Sequence, residues 1–338
     1  VYVDDCYMVG DKAAVEDVTT GLQRKTRCAE AFSVTVTDDT SDYLSCDVVF
    51  SKDGKRAWLG QPHLIKNLRK HFEEDVKGLQ RYATPGTPNV TMRLMEGDEH
   101  TVGKEDHSKY RTGVGMLLYL VKLSRIDIGN CVRELSKMLS KPTRAAMKEM
   151  YRCIKYVLDT SDYGLRIAPT KLIDGHWRLL IYTDSDWAGD KDTRRSVSGF
   201  IIYLMGVPIL WRSRQQRSVT LSSTEAEYVS LSEGAKEVKF VYQIMTAMGF
   251  KVKTPITVMV DNVGAIFMAE NITTSQRTRH VDIRYAYVRE MVIEEGFLEI
   301  KFVRTHDNLS DGMTKNVTSD ILTRHNEYHQ MKRDDIDV

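Results

Sequence analysis

The stretch RLLIYTDSDWAGD, residues 178–190, carries an apolar run directly into an acidic residue, Asp184. Three more acidic residues occur in comparable contexts: Glu225 in SSTEAEY, Asp261 in VMVDNVGAI and Asp311 in RTHDNLSDGMTK. Each lies at the end of a strand-like run or at the start of a helix-like one. At such positions, acids that are distant in the sequence can lie close together in the folded chain. Carboxylates are the ligands that Mg²⁺ prefers. Two such ions ~3.5–4 Å apart hold the attacking and leaving oxygens of a phosphodiester, so the pattern predicts metal-dependent nucleic-acid hydrolysis.

Size and composition are those of an ordinary globular protein. The 338 residues, 42% hydrophobic and 28% charged, allow two or three domains, and the net charge of +1 provides no global basic field. The five cysteines, Cys6, Cys28, Cys46, Cys131 and Cys153, are scattered and include no CxxC pair. This pattern argues against a disulfide framework or a zinc ribbon, and it indicates a reducing compartment. No apolar run approaches the ~20 residues that span a bilayer.

The periodicity of the apolar residues predicts secondary structure along most of the chain. A hairpin at residues 1–10 carries Asp4 and Asp5 at its tip, and a turn-rich linker begins near residue 83. Helical spacing over 110–123, 126–139 and 142–158 predicts a helical layer. The remaining chain is predicted as strands at 178–183, 197–205, 207–212, 256–260 and 297–304, with helices at 222–248, 264–269 and 281–294 and a last helix from 309. This order, βββαβααβα, predicts an α/β class with a mixed sheet.

Several phrases of the sequence, taken in order, resemble the copia-type retrotransposon Pol polyprotein family. They are YTDSDWAGDKDTRRSVSGF, LSSTEAEYVSLSEGAKEV, VDNVGAI, TRHVDIRYAYVRE and DNLSDGMTK, which resemble its ribonuclease H segment. The opening VYVDD resembles the turn of a reverse-transcriptase palm. The resemblance implies a partial palm over 1–78, a linker and helical connection over 79–175, a ribonuclease H-like domain over 176–316, and a C-terminal helix or tail over 317–338.

The resemblance also implies roles for individual residues. Asp184, Glu225, Asp261 and Asp311 match the four metal-binding carboxylates of the family, and His306 matches a loop histidine that assists catalysis. Glu227 stays open as an alternative to Glu225, because two residues apart on a helix they point in different directions. Asp186 is a second candidate beside Asp184. Asp4 and Asp5 match the polymerase aspartates, but the fingers and a third aspartate of that site would precede residue 1.

A basic group near the first three strands of the last domain has two interpretations. Its charge either keeps a sheet edge from aggregating or contacts the phosphates of a nucleic-acid backbone. The group consists of Arg194, Arg195, Arg212, Arg214 and Arg217.

The resemblance implies an RNA–DNA hybrid as substrate and two Mg²⁺ ions as cofactor, with Mn²⁺ as a substitute. The chain opens without Met inside a strand-like run, so we expect a fragment of a polyprotein whose other parts include the rest of the polymerase and an integrase. We expect it to act inside the cell, in cytoplasmic virus-like particles or the nucleus, and to bind no membrane. An inactive nucleic-acid-binding remnant is the main alternative. An integrase or transposase core is a third reading, disfavoured because the glutamate comes second among the acids.

Overall fold

A computed structural model describes residues 11–24, 44–93, 101–271 and 282–337 of the chain. The predicted hairpin with Asp4 and Asp5 lies outside these residues. None of the described helices is long and apolar enough to cross a membrane.

The first part of the chain forms a helical layer beside a small sheet. Its elements are α1 (Lys12–Leu22), β1 (Asp47–Phe50), β2 (Ala57–Gly60), α2 (Pro62–Val76), α3 (Lys104–Leu123), α4 (Gly129–Ser136), α5 (Arg144–Asp159) and β3 (Tyr163–Ile167). Leu68, Val114, Leu117 and Ile154 are fully buried between α2, α3 and α5, because each helix carries apolar residues three and four positions apart. The predicted helix over 126–139 begins as a 3₁₀ turn, Ile126–Ile128, before α4.

The second part of the chain is a five-stranded mixed sheet with helices. Its elements are β4 (Leu179–Asp186), β5 (Val197–Leu204), β6 (Val207–Gln215), α6 (Ser223–Ala247), β7 (Ile256–Val260), α7 (Val263–Glu270), α8 (Asp282–Arg289) and β8 (Leu298–Phe302). The strand order is β6-β5-β4-β7-β8. β4, β5 and β6 pair antiparallel, whereas β7 runs parallel to both β4 and β8. This sheet confirms the predicted mixed α/β class.

Both faces of this sheet are covered, which explains the pattern of β5. Seven of its eight residues are buried, so the strand shows none of the alternation of a half-exposed strand. Phe200 and Ile202 face α6, while Ile201 and Tyr203 pack against Ile126, Leu309 and Met313 on the opposite face. The opposite face therefore receives residues from both the helical layer and the C-terminal part of the chain.

The C-terminal segment returns to the first part of the chain. It contains α9 (Asp311–Thr314), α10 (Ser319–His329) and β9 (Gln330–Lys332), where a single helix from residue 309 was predicted. β9 pairs antiparallel with β3 and completes the small sheet in the order β1-β2-β3-β9. Leu322 of α10 and the preceding Val317 belong to the core of the helical layer. The C-terminal segment therefore packs on both parts of the chain.

A buried ion pair stands at the junction of α3 and α4. The side chain of Arg125 has no exposed surface, and its Nε and Nη2 donate to the two carboxylate oxygens of Asp127 at 2.9 and 2.8 Å. The guanidinium also donates to the carbonyl and hydroxyl oxygens of Thr160, and the hydroxyl of Tyr156 donates to Asp127. The pair thereby fixes the end of α5 against the 3₁₀ turn.

We expect Arg125→Met to lower the free energy of unfolding by about 3–5 kcal/mol, because it leaves the Asp127 carboxylate buried without its cation. The control is Lys77→Met, which removes an ammonium that is largely exposed and lies 3.8 Å from Glu74. We expect this control to change the same quantity by less than about 1 kcal/mol. Urea unfolding of the full chain measures both. Equal, small losses would contradict the structural role of Arg125.

Two buried histidines lie between α10 and the large sheet. His325 and His329 are each 3% exposed, and the hydroxyl of Tyr203 on β5 is hydrogen-bonded to Nε2 of His329. Burial, together with smaller contributions from the charges of Arg324 and Lys315, lowers the pKa of His325 to about 4. Burial likewise lowers the pKa of His329 to about 3, with a smaller contribution from His325. Both imidazoles are therefore neutral in the folded protein near neutral pH.

This burial makes stability depend on pH in a defined direction. The pKa of each histidine is lower in the folded state than the ~6.5 of an unfolded chain, so the unfolded state takes up the proton first. The two neutral histidines contribute fully to the free energy of unfolding above pH ~6.5. This contribution is lost as the pH falls toward their pKa values in the folded state.

We expect His329→Gln, which keeps a partner for Tyr203 but cannot ionise, to lose less stability on acidification. Between pH 7 and pH 5 its free energy of unfolding should fall by about 2 kcal/mol less than that of the wild type. Urea unfolding at the two pH values measures the difference. A variant with the same pH dependence as the wild type would show that folding does not lower the pKa of His329.

Candidate metal centre

Two of the predicted acids meet because β4 and β7 are parallel neighbours. Asp184 lies near the carboxyl end of β4 and Asp261 directly follows β7. The carboxyl ends of adjacent parallel strands lie at the same edge of a sheet, which is where open α/β sheets place their ligands. Asp184 is only 3% exposed, so its carboxylate is held inside the protein.

The third acid of this cluster is Glu227 of α6. One carboxylate oxygen from each of Asp184, Glu227 and Asp261 lies within 4.8 Å of the other two. Oε1 of Glu227 accepts hydrogen bonds from the backbone N–H of Ser185 at 3.0 Å and from its hydroxyl at 2.9 Å. Oε2 of Glu227 is buried and has no hydrogen-bond partner among the described residues. A buried oxygen of this kind is free to bind a cation.

Glu227, which the sequence left open as an alternative to the preferred Glu225, is the glutamate that lies in the group of three acids. Oε2 of Glu225 accepts a hydrogen bond from the N–H of Leu221 at 2.7 Å, and its own N–H donates to the Ser222 hydroxyl. Glu225 thus caps the start of α6 and does not belong to the group of three. One signal in the sequence could have found Glu227, because it shares the apolar stripe of α6 with Leu231 and Ala235 at intervals of four.

Asp311 lies beside the cluster but is outside the group of three. It is the first residue of α9 and is 1% exposed, and its Oδ1 lies 2.5 Å from Nζ of Lys315. The hydroxyl of Thr314 donates a hydrogen bond to Oδ2 of Asp184, which ties α9 to β4. Gly199, opposite Asp184 on β5, allows this approach, since a Cβ there would lie 2.7 Å from side-chain atoms of Met313 and Thr314.

The cluster holds more negative charge than its surroundings neutralise. Burial raises the pKa of Asp184 to about 7, and the carboxylates of Asp311 and Asp261 contribute to the rise. Burial also raises the pKa of Glu227, and so do the charges of Asp184 and Asp261. Burial raises the pKa of Asp311, against the opposing charge of Lys315. A divalent cation among these oxygens would relieve the repulsion, so the residues present fit a metal site.

Neither Asp186 nor His306, two further residues predicted for the site, belongs to the group of three. Asp186 is on the same face of β4 as Asp184 but does not join the group of three, and burial raises its pKa. His306 is in an exposed 3₁₀ turn, Thr305–Asp307, with Nε2 3.2 Å from the carboxylate of Asp307. Its catalytic role stays a prediction.

The predicted basic group is on and near the edge strand β6. Arg212 pairs with Glu237 at 2.6 Å and lies over the ring of Phe200. The side chains of the other four are exposed, namely Arg194, Arg195, Arg214 and Arg217. Exposed guanidinium groups are available to phosphates, and phosphate contact by this group stays a prediction.

The sheet order and the acids from β4, α6 and β7 together define a ribonuclease H-like domain. No family model matches the chain. The retrovirus-related Pol polyprotein from transposon RE1 of Arabidopsis thaliana is 31% identical over 93% of this chain. The Pol polyprotein from transposon TNT 1-94 of Nicotiana tabacum is 28% identical over 93% of it. Over 93% of its length, the chain is therefore homologous to copia-type, retrovirus-related Pol polyproteins.

The chain spans about a fifth of its relatives, covering 20% of the RE1 polyprotein and 23% of the TNT 1-94 polyprotein. Among solved structures, LC11-RNase H1 in complex with an RNA/DNA hybrid is similar over 40% of this chain and 94% of its own. The sequence identity is 14% and the TM-score is 0.33.

The two glutamates of α6 should differ in what they contribute to stability. We expect Glu225→Ala to lower the free energy of unfolding by about 1 kcal/mol, because the N–H of Leu221 loses its acceptor. Glu227→Gln keeps an oxygen for Ser185 and removes a charge beside Asp184 and Asp261, so it should cause no comparable loss. Urea unfolding in the presence of a chelator compares them. Equal losses would contradict these different placements.

Proposed function

We propose that this chain cleaves the RNA strand of RNA–DNA hybrids, as the ribonuclease H part of a retrotransposon reverse transcriptase. The observation that carries the proposal is the group of three carboxylates, Asp184, Glu227 and Asp261, within 4.8 Å of one another. Similarity to the Pol polyproteins supports the same activity. The rest of such a polyprotein would supply the palm and fingers of the polymerase and an integrase.

The chemistry of the donors supports two Mg²⁺ ions, with Mn²⁺ as a substitute. All the donors are carboxylate oxygens, which suit hard divalent cations. Asp184, Glu227 and Asp261 would hold one ion, and Asp311 would join Asp184 in holding the other. When bound, such a pair supplies activation of the attacking water and stabilisation of the leaving oxygen.

The other residues of the site would keep the carboxylates in place. Ser185 donates two hydrogen bonds to Oε1 of Glu227, and Thr314 donates one to Asp184, so each acid keeps its orientation. Preorganised groups cost no rearrangement during the reaction. His306, in its exposed turn five residues before Asp311, would take up or release a proton as the product leaves.

The proposed substrate contacts are of two kinds. The exposed arginines Arg194, Arg195, Arg214 and Arg217 would contact phosphates, which position a duplex without reading its sequence. Arg212 would stay with Glu237, where its ion pair holds it. Selection of the RNA strand would depend on its 2′-hydroxyl groups, which are displayed in the wide minor groove of the hybrid.

The test is cleavage of an end-labelled RNA–DNA hybrid by the full chain with Mg²⁺. We expect cleavage of the RNA strand that chelator abolishes and that Asp261→Asn reduces by about 10²–10³-fold, because one charged group of a preorganised site is lost. Glu227→Gln should cause a similar loss. Glu225→Gln, on α6 outside the group of three, and Asp320→Asn, an exposed acid on α10, should stay within about twofold of the wild type.

The outcomes separate the competing activities. Binding of the hybrid without cleavage would overturn the proposal and identify an inactive nucleic-acid-binding remnant. Processing of DNA ends instead of hybrid would identify an integrase-like nuclease. Cleavage that survives Asp261→Asn would show that a different set of residues carries the reaction.

A further inference from the structure

One basic side chain reaches into the acidic cluster from its rim. Lys315 directly follows α9, and its Nζ lies 2.5 Å from Oδ1 of Asp311. The Asp311 side chain is 2% exposed and that of Lys315 is 38% exposed. The carboxylate of the pair is therefore buried, whereas the lysine side chain is partly in contact with solvent. The Lys315 ammonium is therefore the positive charge that lies against the carboxylate of Asp311, the fourth acid of the predicted site.

The four acids consequently fall into two sets. Asp184, Glu227 and Asp261 form a compact group, and the buried Oε2 of Glu227 has no hydrogen-bond partner among the described residues. Asp311 is outside this group and has its Oδ1 in the ion pair with Lys315. A first divalent cation meets the Oε2 atom of Glu227, which has no hydrogen-bond partner among the described residues, whereas a cation bound through Oδ1 of Asp311 meets an ammonium already in place.

We propose that Lys315 is an internal competitor for the second metal ion, so that the protein without nucleic acid binds one divalent cation strongly and the second only weakly. This inference rests on the proposed metal-dependent function. Two cations cannot share one carboxylate oxygen at contact distance without strong repulsion in a partly buried site. Binding of an ion through Oδ1 of Asp311 therefore requires the lysine side chain to leave that oxygen, and binding through Oδ2 places the ion beside the ammonium.

The chemistry of lysine suits such a role. Its ammonium is a compact point charge on a flexible four-carbon stem, and the stem of Lys315 is partly open to solvent. The side chain can therefore leave Asp311 without movement of α9, whose backbone is fixed by the Thr314 bond to Asp184 and by its close packing on Gly199. Lys315 thus acts as a positioning residue that sets when Asp311 is available.

The test counts bound Mn²⁺ on the full chain without nucleic acid, from the loss of the free-ion electron paramagnetic resonance signal. We expect one tightly bound ion in the wild type and two in Lys315→Met, with the second ion bound at least about tenfold more tightly than in the wild type. Lys315→Arg keeps the charge and should bind one ion. Lys301→Met removes an ammonium 2.8 Å from Glu299, away from the cluster, and should also bind one.

Thermal unfolding provides a second readout that a merely structural lysine would not reproduce. In chelator, Lys315→Met should unfold at a lower temperature than the wild type, since Asp311 loses its cation. Added Mn²⁺ should then raise its unfolding temperature more than that of the wild type. If Lys315→Met does not fold, Lys315→Gln replaces it, because the amide still donates to Asp311 without a positive charge.

The outcomes distinguish this inference from the proposed function. Two tightly bound ions in the wild type, or one in both the wild type and Lys315→Met, would overturn the role of Lys315 and leave the proposed function standing. No bound Mn²⁺ in either protein would overturn the metal-dependent function itself. Asp184→Asn, which removes a carboxylate of the first set, should abolish tight binding in both backgrounds if the assignment is correct.

Discussion

The rest of the structure depends on bringing several buried carboxylates together against their mutual repulsion. Asp184 is held by a central strand, Asp261 by the end of its parallel neighbour, and Glu227 by two hydrogen bonds from Ser185. Burial and neighbouring charge raise the pKa of Asp184 and Glu227, which shows the electrostatic cost of this arrangement. Folding energy from the packed sheet and α6 offsets that cost, and the oxygens stay available to a cation.

The short helix α9 links this cluster to the rest of the molecule. It approaches β5 at Gly199, where no side chain intervenes, and it places Thr314 on Asp184 and Lys315 on Asp311. On its other side, Gly129 of the helical layer contacts Met313 closely, since a Cβ there would lie 2.9 Å from its side chain. The acidic site is therefore completed by a segment that also contacts the helical layer.

The contacts that the C-terminal segment makes with both parts of the chain explain why these parts are not two independent units. Strand β9 pairs with β3, Leu322 enters the helical core, and His329 meets Tyr203 of the large sheet. The Arg125–Asp127 pair holds the neighbouring turn, where Gln330 donates to the carbonyl of Ser124. Residues beyond the large sheet thus stabilise both parts of the chain, and this joint role would be lost in a fragment restricted to the sheet and its helices.

The sequence by itself determined the mixed α/β class, the main strands and helices, and the positions of Asp184, Asp261 and Asp311, because apolar periodicity and strand-end acids are local properties. It did not separate Glu227 from Glu225, because the two side chains are distinguished by which face of α6 packs on the sheet. It also missed β9 and the pairing of Lys315 with Asp311. Only the tertiary structure decided these features, because strand pairing and ion pairing depend on which distant segments meet in space.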